Sequence, residues 1–90
     1  MLKIWGKLIK DSKIIRDEVV ESNVEGTYQE NLKACIIDLC YKFDISKPYW
    51  LPANLNEYNK RLKTSFNQHN FMEEIEFDKF EIEELGEKKR

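Results

Sequence analysis

Ninety residues make one domain, 1–90, near the lower limit at which a chain builds its own core. A hydrophobic fraction of 41% with 12% aromatic residues suits globular packing, and a net charge of −2 excludes the disorder signature of low hydrophobicity with high net charge. At a pI near 5.5 the whole chain has no electrostatic attraction to polyphosphate.

The opening Met1-Leu2-Lys3-Ile4-Trp5-Gly6-Lys7-Leu8-Ile9-Lys10 interrupts its apolar residues with lysines, whereas a secretory signal needs an unbroken apolar stretch. The longest apolar run, Ala34-Cys35-Ile36-Ile37, is far too short to cross a bilayer. A cytoplasmic protein with no membrane partner is expected. Residues 2–9 and 14–21 are rich in Ile, Val, Leu and Trp, and Lys10-Asp11-Ser12-Lys13 between them carries turn formers. A β-hairpin follows. The register that sets Lys7 against Asp17, Lys3 against Glu21 and Trp5 against Val19 is preferred, because the alternative opposes Lys7 and Arg16.

Thr27 with Glu30 forms a capping-box pattern, and a helix is expected from Tyr28 to Tyr41 or Phe43. Tyr28, Leu32, Cys35, Ile36, Leu39 and Phe43 recur at helical spacing and define the stripe that should bury against a sheet. Ala34, Ile37 and Tyr41 form a second apolar stripe on nearly the opposite side. A helix apolar on two sides needs a cover on both. The segment 49–62, with Trp50, Leu51, Leu55 and Tyr58, is one cover; the same helix of a second copy is the other.

Residues 44–53 read as a loop whose prolines, Pro48 and Pro52, forbid helix continuation. Trp50, between them, is expected to face inward as an anchor. Asn54 with Glu57 repeats the cap pattern, so a short helix is expected to about Lys63, with Thr64 to Asn70 irregular after it. Ile75 and Phe77 then alternate in one phase and Phe80 and Ile82 in the other, which predicts a bulge or bend at Asp78-Lys79 and a strand over 79–85. The charged end, about 86–90, should fray. The order β-β-α-α-β gives an α+β fold, with a three-stranded antiparallel sheet packed on one long helix and a second short helix.

No residues converge on catalysis or on a metal. Cys35 and Cys40 stand about 140° apart around a helix, so they cannot share a zinc ion and read as packing residues. His69 is the only histidine, and nothing local orients it as a base or as the partner of a thiol. Glu73, Glu74, Glu76, Asp78, Glu81, Glu83 and Glu84 could offer oxygen to a hard cation, but they alternate with Ile75, Phe77, Phe80 and Ile82, the pattern of a strand with one wet face. No catalytic, cofactor-binding or metal residue is therefore assigned, and no enzyme is expected.

The stretch Pro48-Tyr49-Trp50-Leu51-Pro52, with Asn54-Leu55, Glu57-Tyr58, Phe66, Asn70-Phe71, Glu74, Ile75 and Phe77-Asp78, resembles small hypothetical proteins of Firmicutes, especially clostridia. These have no established activity, so the resemblance implies no functional residues. Abundant Lys, Ile, Asn and Glu with only two alanines suit an AT-rich bacterial origin.

The sequence thus points to a non-enzymatic protein-interaction module without a cofactor, its partner another protein or a second copy of itself. The candidate surface is Ala34, Ile37, Tyr41, Tyr49 and Trp50. The alternative is a small nucleic-acid-associated protein using Trp5 with Lys60, Arg61 and Lys63, since an exposed aromatic flanked by bases can hold single strands. The acids Asp17, Glu18 and Glu21 weaken that patch, so nucleic acid is the less expected partner.

Overall fold

The computed structural model describes residues 2–23 and 25–85; the charged end expected to fray, 86–90, lies outside them. Strands β1 (Leu2–Lys10) and β2 (Lys13–Ser22) form the hairpin, turned by Asp11 and Ser12, both in the left-handed region at φ 54° and 68°. Such a two-residue turn matches the natural twist of the paired strands. The register is the charge-matched one: Lys3 opposes Glu21, Trp5 opposes Val19 and Lys7 opposes Asp17.

Helix α1 (Tyr28–Phe43) starts on the reciprocal capping box, with Thr27 Oγ1 accepting from Glu30 N–H at 3.1 Å and Glu30 Oε1 accepting from Thr27 N–H at 3.0 Å. It stops at Asp44, whose left-handed backbone (φ 59°) turns its N–H back onto the carbonyls of Cys40 and Tyr41. Helix α2 (Pro52–Arg61) begins two residues before the expected cap at Asn54. Pro52 occupies the first turn, where its missing N–H costs nothing. Asn54 lies in the third helical position and is buried, so its side chain serves both the helix end, accepting from the Leu51 N–H at 3.1 Å, and the interior, donating to Thr64 Oγ1 at 2.9 Å.

The sheet has four strands, not three, in the order β2-β1-β4-β3. Strand β4 (Lys79–Glu84) pairs antiparallel with β1, and β3 (Lys63–Phe66) pairs with β4 on its far side. Residues 64–66, expected to be irregular, are thus a strand. The polarity of Lys63-Thr64-Ser65 hides it. Thr64 takes an inward position because its hydroxyl is satisfied there: it donates to Glu57 Oε1 (2.8 Å) and accepts from Asn54 Nδ2 (2.9 Å). A single 3-10 turn, Gln68–Asn70, follows.

Residues 71–78 form no strand, and the expected irregularity before Lys79 is a bend through 76–78 and not a bulge; the ladder shift lies between Leu8 and Ile9, where Ile15 is the extra residue on β2. Both helices lie on one face of the sheet, α1 over β1 and β2 and α2 over β3. Leu2, Ile4, Leu8, Val20, Phe66, Phe80 and Ile82 point to them and meet Leu32, Cys35, Ile36, Leu39 and Phe43. Phe80 links the two halves, with ring centroids 5.9 Å from Phe43 and 5.7 Å from Phe66.

Candidate functional site

Because α1 and α2 sit on different strands, their facing sides do not close on each other. An apolar groove of about 490 Å³ is left between them. Leu32, Ile36 and Ile37 form the α1 wall; Leu55 and Tyr58 form the α2 wall, with Pro48 and Trp50 at one end. Trp50 is half-buried, edge-on to Phe66 (5.2 Å between centroids) and to Tyr58 (5.8 Å), so one side of the indole anchors the loop while the other lines the groove.

The opposite end is held by a chain of hydroxyls. Tyr58 donates to Tyr28 Oη at 2.8 Å, and Tyr28 donates to Glu84 Oε1 at 2.5 Å. Three elements are tied there: the first turn of α1, the middle of α2 and the end of β4. Burial of the hydroxyl, reinforced by the bonds to Glu84 and Tyr58, pushes Tyr28 well above the ordinary tyrosine range. Burial also pushes Tyr58 up to about 12. Both phenols therefore act as neutral donors at physiological pH. The Tyr28 ring itself is exposed, which corrects the expectation that it buries against the sheet: at the first helical turn it reaches past the sheet end to Glu84.

The groove gathers some of the sequence-level candidates and leaves others out. Ile37 and Trp50 line it. Ala34 is partly covered and does not line the groove, and Tyr41, 84% exposed, stands one turn beyond. The expected intrachain cover of the second stripe is thus incomplete, since α2 leans on β3 and reaches only as far as Ile37. Tyr49 is exposed, while its backbone is fixed by Asn70, with Tyr49 N–H to Asn70 O at 2.7 Å and Asn70 Nδ2 to Tyr49 O at 2.6 Å. Leu32, Leu55 and Tyr58 were legible as helix-face residues; what sequence reasoning missed is that two separate faces border one space.

A larger cleft of about 780 Å³ lies beyond the other end of α1, between residues 43–46 and 71–77. Its wall mixes Arg16 and Lys10 with Asp44, Glu73, Glu74 and Glu76, and Glu73 already accepts a hydrogen bond from Ser46. No polar group there converges on a common point. His69 is exposed on the 3-10 turn, and Cys35 and Cys40 are buried free thiols under α1, each pushed up to about 11 chiefly by burial. Among the described residues no group of three or more His, Cys, Asp or Glu could hold a metal ion, and no helix is long and apolar enough to cross a membrane.

The open face of the sheet carries Trp5. Its Nε1–H donates to Asp17 Oδ2 at 2.9 Å, and Lys7 Nζ stands 3.9 Å from the centre of its ring. Lys63 shares this face but is ion-paired to Glu81 (3.7 Å), whereas Lys60 and Arg61 lie in the last turn of α2 on the other side of the sheet. Comparison of the chain with protein-family models, curated proteins and solved structures found no match.

Proposed function

We propose that the protein is a non-enzymatic interaction module that takes an apolar segment of a partner protein into the groove between α1 and α2. One observation carries this reading. In a chain with 17 acidic residues and net charge −2, the groove is lined by no carboxylate, and its only charged residues are Lys33 and Lys47. An apolar floor with two rim lysines is complementary to a segment whose hydrophobic residues are flanked by Asp or Glu. Tyr28, Ile37 and Leu55 are the exposed large hydrophobic residues that line the groove and have surface to lose on docking. The setting is cytoplasmic, and self-association is compatible with this role.

The nucleic-acid reading has less support. One face of Trp5 is occupied by Lys7, its N–H is engaged by Asp17, and Glu83 stands between Trp5 and Lys63 across the strands. The carboxylates paired with Lys3, Lys7 and Lys63 on this face oppose phosphate.

A photo-crosslinking residue at Leu55, in cells producing the protein, tests the reading against the same residue at exposed Met72, outside the groove. The expected result is a discrete adduct from position 55 alone, whose purified partner binds Leu55→Glu and Lys33→Glu proteins about tenfold or more weakly. Equal adducts from both positions, or a partner indifferent to Leu55→Glu, would sink the proposal.

A further inference from the structure

The two edges of the sheet are unequal. Strand β3 has four residues, too short to invite another strand, whereas β2 has ten and leaves Ile14 (51%) and Val19 (48%) exposed. Backbone directions follow from two bonds at the other side of β1: Leu85 N–H to Lys3 O and Asp78 N–H to Ile9 O. Those carbonyls face β4, so by strand alternation Ile4, Gly6 and Leu8 turn their peptide groups to β2 and bond with Val20, Glu18 and Arg16. Asp17, Val19 and Glu21 then present their N–H and C=O groups to the open edge.

We propose that a second copy of the chain pairs along this edge, β2 against β2, antiparallel about a two-fold axis at Asp17, making one eight-stranded sheet. The proposal is independent of the groove. A two-fold axis requires facing residues to share a sheet face, which leaves only a few possible centres. Centred on Asp17, Arg16 faces the partner's Glu18 twice, and beyond the bulge at Ile15 exposed Ile14 meets the partner's Val19 twice. Centred on Glu18, that residue faces itself and Asp17 faces Val19. Centred on Val19, Asp17 faces Glu21. Centred on Arg16, two arginines meet. Of these four, only the Asp17 centre matches opposite charges. Its one like-charged contact, Asp17 with its copy, is eased because each carboxylate is drawn back to Trp5 of its own chain. Arg16 uses one N–H on Lys42 O (3.1 Å), which leaves guanidinium donors for the partner's Glu18.

Sedimentation velocity across a concentration series tests this. The wild-type chain should dimerise, and Arg16→Glu should raise the dimer dissociation constant about tenfold or more by setting Glu against Glu. The double swap Arg16→Glu with Glu18→Arg should restore the dimer. Val19→Pro should give a folded monomer by circular dichroism, because that N–H points to the open edge and is not used by β1. Leu55→Glu should leave the dimer intact, which separates this surface from the groove. A wild-type chain monomeric throughout, a dimer surviving Val19→Pro, or a double swap that fails to recover association would overturn the proposal.

Discussion

Leu39 of α1 rests directly on Gly6 of β1: a Cβ added at Gly6 would stand 2.7 Å from Leu39 Cδ1 and 2.8 Å from Cδ2. Leu39 is fully buried, and Gly6 is flanked on the same face by Ile4 and Leu8. The missing side chain leaves the space that the Leu39 side chain fills, so α1 packs on β1 here through Leu39 seated over Gly6.

Gly6→Ala should therefore destabilise the fold by about 1–3 kcal/mol through overpacking, although alanine is ordinarily the better strand residue. Trimming the opposing side chain should recover part of the loss. In a double-mutant cycle by urea denaturation, Gly6→Ala with Leu39→Val should cost less than the two single changes summed. Strict additivity would mean that the helix and strand shift apart freely.

Asn54 is the second pressure point. Its Nδ2 donates to Thr64 Oγ1 and Ser65 O (both 2.9 Å), and its Oδ1 accepts from Leu51 N–H (3.1 Å) and Asn70 Nδ2 (2.7 Å). One buried amide thus ties the Pro48–Pro52 loop, α2, β3 and the 3-10 turn. Asn54→Ala should lower stability by about 1–3 kcal/mol for the buried groups it leaves unpaired, a large share of the whole in a domain of this size. Asn54→Asp, nearly identical in shape, should fail to rescue because a carboxylate cannot donate to Thr64 and Ser65. A melting temperature unchanged in either variant would contradict this account.

The same residue shows where sequence reading stops. Asn54-x-x-Glu57 has the form of a helix cap, and only the tertiary position of Thr64 converts the amide into an interior tie. Strand β3 was hidden for the same reason, since a buried threonine with two hydrogen-bond partners reads as a polar loop residue. The hairpin register was legible because cross-strand charge decides it locally. Helix α1 was legible from Thr27, Glu30 and its periodic stripe. The candidate surface was half legible. Ile37 and Trp50 border the groove, but spacing along α1 cannot say where α2 will lie, so Ala34, Tyr41 and Tyr49 fall outside it.

Alkaline pH should weaken the fold. Cys35, Cys40 and Tyr58 titrate in the folded chain at about 11, 11 and 12, above their ordinary values, chiefly because burial disfavours the anions. Each group thus contributes stability that is fully present below its unfolded pKa and lost as pH climbs through the folded one, because the unfolded chain releases its proton first. Urea midpoints should hold between neutrality and about pH 8, then fall towards pH 12. Both thiols should resist alkylation in native protein at pH 8 and react quickly in denaturant. Rapid native labelling of either cysteine, or a midpoint that rises above pH 9, would run against the burial argument.

Lys7 is the last residue to test, and it departs most from a simple reading of its strand. It stands opposite Asp17, yet it turns the other way, to Glu83 (3.4 Å) and Glu81 (3.6 Å) on β4, with Trp5 stacked against its ammonium. Asp17 is left to Trp5 Nε1. Lys7 is only 7% exposed although it lies on the uncovered face of the sheet, because the indole and its own methylene stem screen it from water. Without its charge, Glu81 and Glu83 would stand side by side on one face of β4 with the more exposed Lys63 near Glu81. Lys7→Met keeps the stem and removes the ammonium, and it should cost about 1.5–3 kcal/mol, more than a fully exposed ion pair would. The loss is electrostatic, so added salt should recover part of it by screening the two glutamates from each other. Glu81→Gln in the Lys7→Met background should recover more, since it removes one of the repelling charges. Urea denaturation of the three proteins at low and at high sodium chloride provides the measurement. If Lys7→Met matches the wild-type chain in stability at low salt, the carboxylates are solvated well enough alone, and Lys7 serves only to cover Trp5.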